Sequence, residues 1–208
     1  MLLLATSCNQ EKLQSDNSIE NLIYGKDTTL LQSYVEKPFY FHNAIFEIDE
    51  ADNTIDWDGL TKDLSAITNE ADFDNILEKR GLLAYPNFRY SALAYTDAKL
   101  KLMTNYGDIL SSLNENNKQI FKDAYSGYYI DLLFAATSTI KDENQVTFRQ
   151  CPFELCMVRC FNDGWDDALM CLIACIPPTP WGCLGTAACE IISARKMNRC
   201  YDGCRSEH

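Results

Sequence analysis

Nine of the ten cysteines in this 208-residue chain lie between Cys151 and Cys204, and the tenth is Cys8. Thiols in such density can cross-link a fold, ligate a soft metal or act as nucleophiles. Zinc sites draw on Cys-x2-Cys pairs or on Cys with His, and the chain has no Cys-x2-Cys and only His42 and His208. Structural disulfides in an oxidising compartment such as a periplasm, cell surface or extracellular space are therefore expected, with no metal and no other cofactor. His42 is the one internal base available to a Ser-His-Asp or Cys-His arrangement. It lies in an aromatic segment with no flanking signature and is assigned to packing. There is no Gly-rich phosphate loop, and carboxylate pairs among 30 Asp and Glu specify nothing by themselves. No catalytic residue is expected, and the chain reads as a non-enzyme.

Spacing turns the cysteines into a geometry. Pro152, just after Cys151, suits the first position of a helix. Cys156-x3-Cys160 and Cys171-x3-Cys175 each place two sulfurs on one helical face, one turn apart. Asn162-Asp163-Gly164 between them is a turn signal, and Asp166-Asp167 suit a helix start. Two antiparallel helices joined there would set Cys160 opposite Cys171 and Cys156 opposite Cys175, and these two disulfides are expected. The layout resembles the helical hairpinin scaffold of plant defence peptides and the twin motif of small mitochondrial chaperones, a scaffold likeness that implies pairing and no activity.

Pro177, Pro178 and Pro180 in the stretch Ile176 to Gly182 stop any helix. A third helix is expected from Leu184 to Tyr201, with Glu190 early and Arg195, Lys196 and Arg199 late, matching the helix dipole. Cys189 and Cys200 share a face of it, with Cys204 slightly offset. Cys151, Cys183, Cys189, Cys200 and Cys204 remain after the hairpin pairs. If Cys8 carries a lipid, that odd number leaves one thiol free, paired between chains or capped. Ile173, Ile176, Trp181 and Leu184 form a candidate binding patch, together with whatever other apolar groups of the tail are not covered.

Met1 to Cys8 is short and apolar, with Ala5, Thr6 and Ser7 before the cysteine. It resembles the end of a bacterial lipoprotein signal of Bacteroidota type, which implies a lipid on Cys8 and a true start upstream of Met1. The polar run from Asn9 to Glu20 reads as the tether that follows a lipidated cysteine. No segment reaches the roughly 18 apolar residues of a spanning helix. The expected location is the bacterial cell envelope, lipid-anchored at the outer membrane or cell surface, or otherwise secreted.

The elements that carry these residues divide into residues 1–8 (signal remnant and lipobox), 9–29 (tether), 30–145 (acidic helical domain) and 146–208 (Cys-rich helical module). The fold class is mainly α: a small helical bundle followed by a disulfide-stapled three-helix module. Hydrophobic residues make up 47% of the chain, which is enough for a core. Tyr34 to Ile48, rich in aromatic and β-branched residues, is expected as one or two short strands or an extended segment. Helices follow through Trp57, Leu60, Leu64 and Ile67; from Glu70 to Arg80, capped by Asn69 and stopped by Gly81; from Ser91 to Tyr106, with Leu93, Leu100 and Met103 inward; and from Glu115 to Ala136, capped by Asn114, through Ile120, Phe121, Ala124, Tyr128 and Leu132. Leu82 to Arg89, broken by Pro86, is a connection. Asp49, Asp52, Asp56, Asp58 and Gly59 suggest a calcium loop, but its twelfth position falls on Ser65 in place of a bidentate Glu, so they are read as a helix start and solvated surface.

The net charge of −12 is concentrated in residues 1–150, with 13 Lys and Arg against 23 Asp and Glu. Nucleic acid and anionic lipid surfaces are accordingly poor candidates as partners. The function expected is a non-enzymatic envelope lipoprotein that presents the stapled module to an envelope or extracellular protein. The architecture is also similar to lipoprotein-like precursors related to the bacteriocin fulvocin. That resemblance implies the alternative, a toxin precursor whose acidic half masks a membrane-active tail.

Overall fold

A computed structural model describes residues 18–138, 152–175 and 178–207, and every regular element among them is helical. In chain order these are α1 (Ile19–Tyr24), α2 (Thr28–Ala51), α3 (Trp57–Leu64), α4 (Glu70–Lys79), a 3-10 turn at Leu82–Ala84, α5 (Pro86–Ser111), α6 (Glu115–Ser138), α7 (Pro152–Ile173), α8 (Pro180–Gly185) and α9 (Ala187–Glu207). The centre is the antiparallel pair α2 and α5, where Tyr34 meets Tyr95 and Phe41 meets Phe88. Helices α6 and α9 pack on α2, α3 packs on α9, and α8 packs on α5. One continuous apolar core runs from Ile19 to Cys204, crossing the junction expected near residue 146.

The strand or extended segment expected over Tyr34 to Ile48 is instead part of α2, a helix of 24 residues. Its buried side chains Leu31, Tyr34, Pro38, Phe41, Ile45 and Ile48 recur at three and four residues, a helical period that outweighs the β-like composition. Even Pro38, which removes a hydrogen bond from the helix interior, is held there by burial. The tether expected over residues 9–29 is also corrected from Ser18 onward. Ser18 accepts a hydrogen bond from the Asn21 amide and caps α1, whose Ile19, Leu22 and Ile23 are buried. Residues 9–17 lie outside the described residues.

Local signals place α3 and α4 as expected. Asp56 accepts from the Gly59 amide at 2.9 Å, and Asn69 accepts from the Asp72 amide at 2.9 Å. Gly81, at φ 73°, ends α4 in the left-handed region. The acidic run before α3 serves as caps and ion pairs, for Arg80 binds both Asp56 and Asp63. Pro86 starts α5 at its first turn instead of breaking a connection, and the helix continues through Gly107 to Ser111. Its inward face is Phe88, Tyr95, Lys99, Leu102 and Tyr106, with Met103 also buried and Leu93 and Leu100 at the flank. In α6 the Asn114 cap holds, at 2.9 Å to the Asn117 amide. There too the buried stripe, Phe121, Tyr125, Tyr129 and Leu133, lies one residue beyond most of the expected one. In both helices the aromatic side chains set the phase.

The largest difference is in the tail. No turn forms at Asn162-Asp163-Gly164, and α7 runs unbroken for 22 residues. Gly164 is buried against α9, where a Cβ would meet Met197 Cγ at 3.3 Å; it permits close helix approach rather than a turn. The tail is a stapled helical module, as expected, but the two helices expected of the hairpin are the single α7, and short α8, which begins within the stretch expected as a turn, leads into the long antiparallel α9. Thr179 caps α8 and Pro180 opens it.

Candidate functional site

Because α7 does not fold back on itself, the expected pairs Cys160–Cys171 and Cys156–Cys175 do not form. Cys156 bonds Cys204, Cys160 bonds Cys200, and Cys171 bonds Cys189, three rungs in one antiparallel register between α7 and α9. Cys175–Cys183 closes the proline corner. The twin Cys-x3-Cys arrangement is thus present with another partner: Cys156-x3-Cys160 faces Cys200-x3-Cys204. The sulfurs of Cys156, Cys160 and Cys204 lie within 4.8 Å of one another, and as disulfides they offer no thiolate to a metal. Cys8 and Cys151, the two cysteines left over, lie outside the described residues.

The chemistry-bearing residues converge where the stapled tail meets α2, α5 and α6. His42 of α2 is 1% exposed and uses both ring nitrogens: Nε2 lies 3.1 Å from Glu190 Oε2 of α9, and Nδ1 lies 2.8 Å from the Tyr129 hydroxyl of α6. A carboxylate only accepts, so Nε2 donates to Glu190, and Nδ1 shares the second hydrogen bond with the Tyr129 hydroxyl. The other Glu190 oxygen accepts from the Tyr95 hydroxyl of α5 at 3.2 Å. Tyr95 in turn accepts from Lys99 Nζ at 3.2 Å. Lys99, fully buried, gives its other two donors to the Cys171 carbonyl of α7 and the Thr186 hydroxyl between α8 and α9. Thr186 passes its own proton to the Cys183 carbonyl at 2.6 Å.

Every donor in this chain therefore meets an acceptor, from α6 through α2, α9, α5 and α7 to α8. Burial pulls the Lys99 ammonium down to about 7, opposed by the Glu190 charge. Burial likewise pushes the hydroxyls of Tyr34, Tyr95 and Tyr129 well above their ordinary range, with Glu190 adding to the effect. Such a set could move protons along its length, but all its members except the half-buried Thr186 are interior. A satisfied buried network specifies one arrangement of the helices around it, because any shift leaves a charge or hydroxyl without a partner.

Burial removes Leu184 from the candidate binding patch. Leu184 is 0% exposed beneath α5, while Ile173 and Trp181 are half-buried against the core. Ile176 lies outside the described residues. Among the described residues, the large apolar groups left exposed on the tail are Met170 and Ile192. His42, read as a packing residue, is instead the hinge of the polar network. Lys99, Tyr95, Tyr129, Thr186 and Glu190 carried no sequence motif. Their one signal was a charge inside an apolar stripe, Lys99 between Tyr95 and Leu102 and Glu190 before Ile191.

Two of the surface clefts bear on α9 and on the central pair. One of about 510 Å³ runs along the outer seam of α2 and α5 past Lys37, Tyr40, Asn43, Glu47, Asn87 and Tyr90. The other, about 160 Å³, lies between α3 and α9 and is lined by Trp57, Asp58, Thr61, Ile192 and the cations Arg195, Lys196 and Arg199. Among the described residues, no helix is long and apolar enough to cross a membrane.

The class these features define is a disulfide-stapled all-helical protein with a buried polar lock. No protein-family model, curated protein or solved structure matches the chain.

Proposed function

We propose that this is a non-enzymatic protein of the bacterial envelope, anchored by a lipid on Cys8, whose stapled helices α7–α9 are a permanent part of the fold and present the outer face of α9 as a binding surface. The observation that carries this reading is the polar network through His42, Glu190, Tyr95 and Lys99, which ties the tail to α2, α5 and α6 in the interior. It supports a binding role over catalysis, because the one internal histidine is enclosed with both nitrogens engaged. It also weighs against a releasable toxin. Withdrawing α9 would strip the partners from Glu190 and Lys99 and uncover Ile191, Ala194 and Met197.

The test uses the full chain expressed behind a lipoprotein leader. Wild type should partition into detergent with the membrane fraction, and Cys8→Ser should move to the aqueous phase. The oxidised, purified protein should leave dye-loaded phosphatidylglycerol vesicles intact. Dye release, or recovery of the tail as a separate fragment, would favour the toxin-precursor alternative.

A further inference from the structure

The α3–α9 cleft has a sign opposite to that of the molecule. On a chain of net charge −12, three cations, Arg195, Lys196 and Arg199, line it against one carboxylate, Asp58. Two arginines outside the cleft are matched to acids by hydrogen-bonded pairs: Arg80 binds Asp56 and Asp63, and Arg89 binds Asp74 and Glu70. The cleft arginines are not matched in this way. Among the described residues Arg195 pairs only with Asp49, its buried Nε lying 3.5 Å from Oδ1 without making a hydrogen bond. Its guanidinium is nevertheless held in place, over the Trp57 ring at 5.5 Å from the centroid. Arg199 is exposed and makes no ion pair among the described residues. A planar fork fixed by stacking, with donors unfilled and a second arginine one turn away, is the arrangement that recognises an oxyanion by paired N–H bonds.

We infer that the α3–α9 cleft binds a phosphate group through Arg195 and Arg199, with Lys196 adding charge and the Trp57 ring fixing the Arg195 fork. The cleft, of about 160 Å³, has room for such a group. Isolated cationic residues on an acidic surface do not attract polyanions such as nucleic acid, whose extended charge would meet the surrounding carboxylates. A single phosphate, free in solution or carried on a lipid headgroup, places its charge within the cleft. This inference rests on the docked α9 face being the binding surface, and it names the ligand chemistry of that face.

The experiment titrates inorganic phosphate into the full-length oxidised chain by calorimetry, at constant ionic strength with chloride as the reference. Hydrogen exchange of α9 is recorded in the same samples. Saturable binding is expected, weakened at least fivefold by Arg199→Gln and by Arg195→Lys, which keeps the charge but not the fork. Arg199 is exposed, so Arg199→Gln should leave the melting temperature in chloride unchanged. In parallel, phosphatidic acid and phosphatidylcholine vesicles are sedimented with wild type and both variants. Arginine-dependent binding to phosphatidic acid without binding of free phosphate would assign the ligand to a lipid headgroup. No binding in either arm, or binding insensitive to both variants, overturns the inference. If α9 amides remain protected in that case, only the ligand assignment fails; if they exchange freely, the docked surface itself fails.

Discussion

Helices α1–α6 and helices α7–α9 are held together by different means. The first group relies on aromatic packing, helix caps and surface ion pairs such as those of Arg80 and Arg89. The second is cross-linked by four disulfides. The staples fix the register of α7 against α9, yet none of the four reaches α1–α6. Among the described residues, attachment of the tail is left to the shared apolar core, to the polar chain from Tyr129 to Cys183 and to the contacts of Arg195 with Asp49 and Trp57. Covalent bonds thus define the shape of the tail, and a few buried hydrogen bonds define where it sits.

The sharpest way to break this arrangement is Glu190→Leu. It removes the acceptor for His42 and Tyr95 and leaves Lys99 buried without its counter-charge. A loss of about 3–5 kcal/mol is expected from urea unfolding with the disulfides intact. Next come the rungs. Removing Cys156–Cys204 alone should cost little, because Cys160–Cys200 still closes nearly the same loop. Removing both should cost about 3–4 kcal/mol, read from the same unfolding curves. Mass mapping of the non-reduced chain should recover Cys156 with Cys204 and Cys160 with Cys200. Finding Cys160 with Cys171 would restore the hairpin.

A pH scan separates the two regions more gently. Lys99 titrates at about 7 when folded and near 10.5 when unfolded. Between these values the unfolded chain holds the extra proton, so stability should rise with pH across that window. Above about pH 10 the buried tyrosines reverse the slope, because they ionise in the unfolded chain first. Lys99→Met should abolish the rise between pH 7 and 9, measured as melting temperature. The smallest effect is confined to the N-terminal helices: Asn69→Ala removes a cap and should cost about 1 kcal/mol without altering the exchange of α9.

How much of this was legible in the sequence follows the range of the interactions. Caps and stops at Asp56, Asn69, Asn114 and Gly81 act within one turn and were readable, as was the helical class. Tyr34 to Ile48 was misread because its composition favours strands while its period, over Leu31, Tyr34, Pro38, Phe41 and Ile45, is helical. The disulfide partners were misassigned because Gly164 served a neighbouring helix and not a turn, which only the packed register reveals. The polar chain was invisible for the same reason. His42 and Glu190 are 148 residues apart in sequence, and neither belongs to a local motif.

The central claim, that the stapled tail is locked into the fold, is tested most directly by native-state hydrogen exchange of the oxidised chain over a urea series. The opening free energy of α9 should match that of α2 and α5 at every urea concentration, because Glu190 and Lys99 cannot part without unfolding the centre. Exchange of α7 and α9 as one unit at urea concentrations where α2 and α5 remain protected would contradict it, and would make the tail a separate module resting on its neighbour.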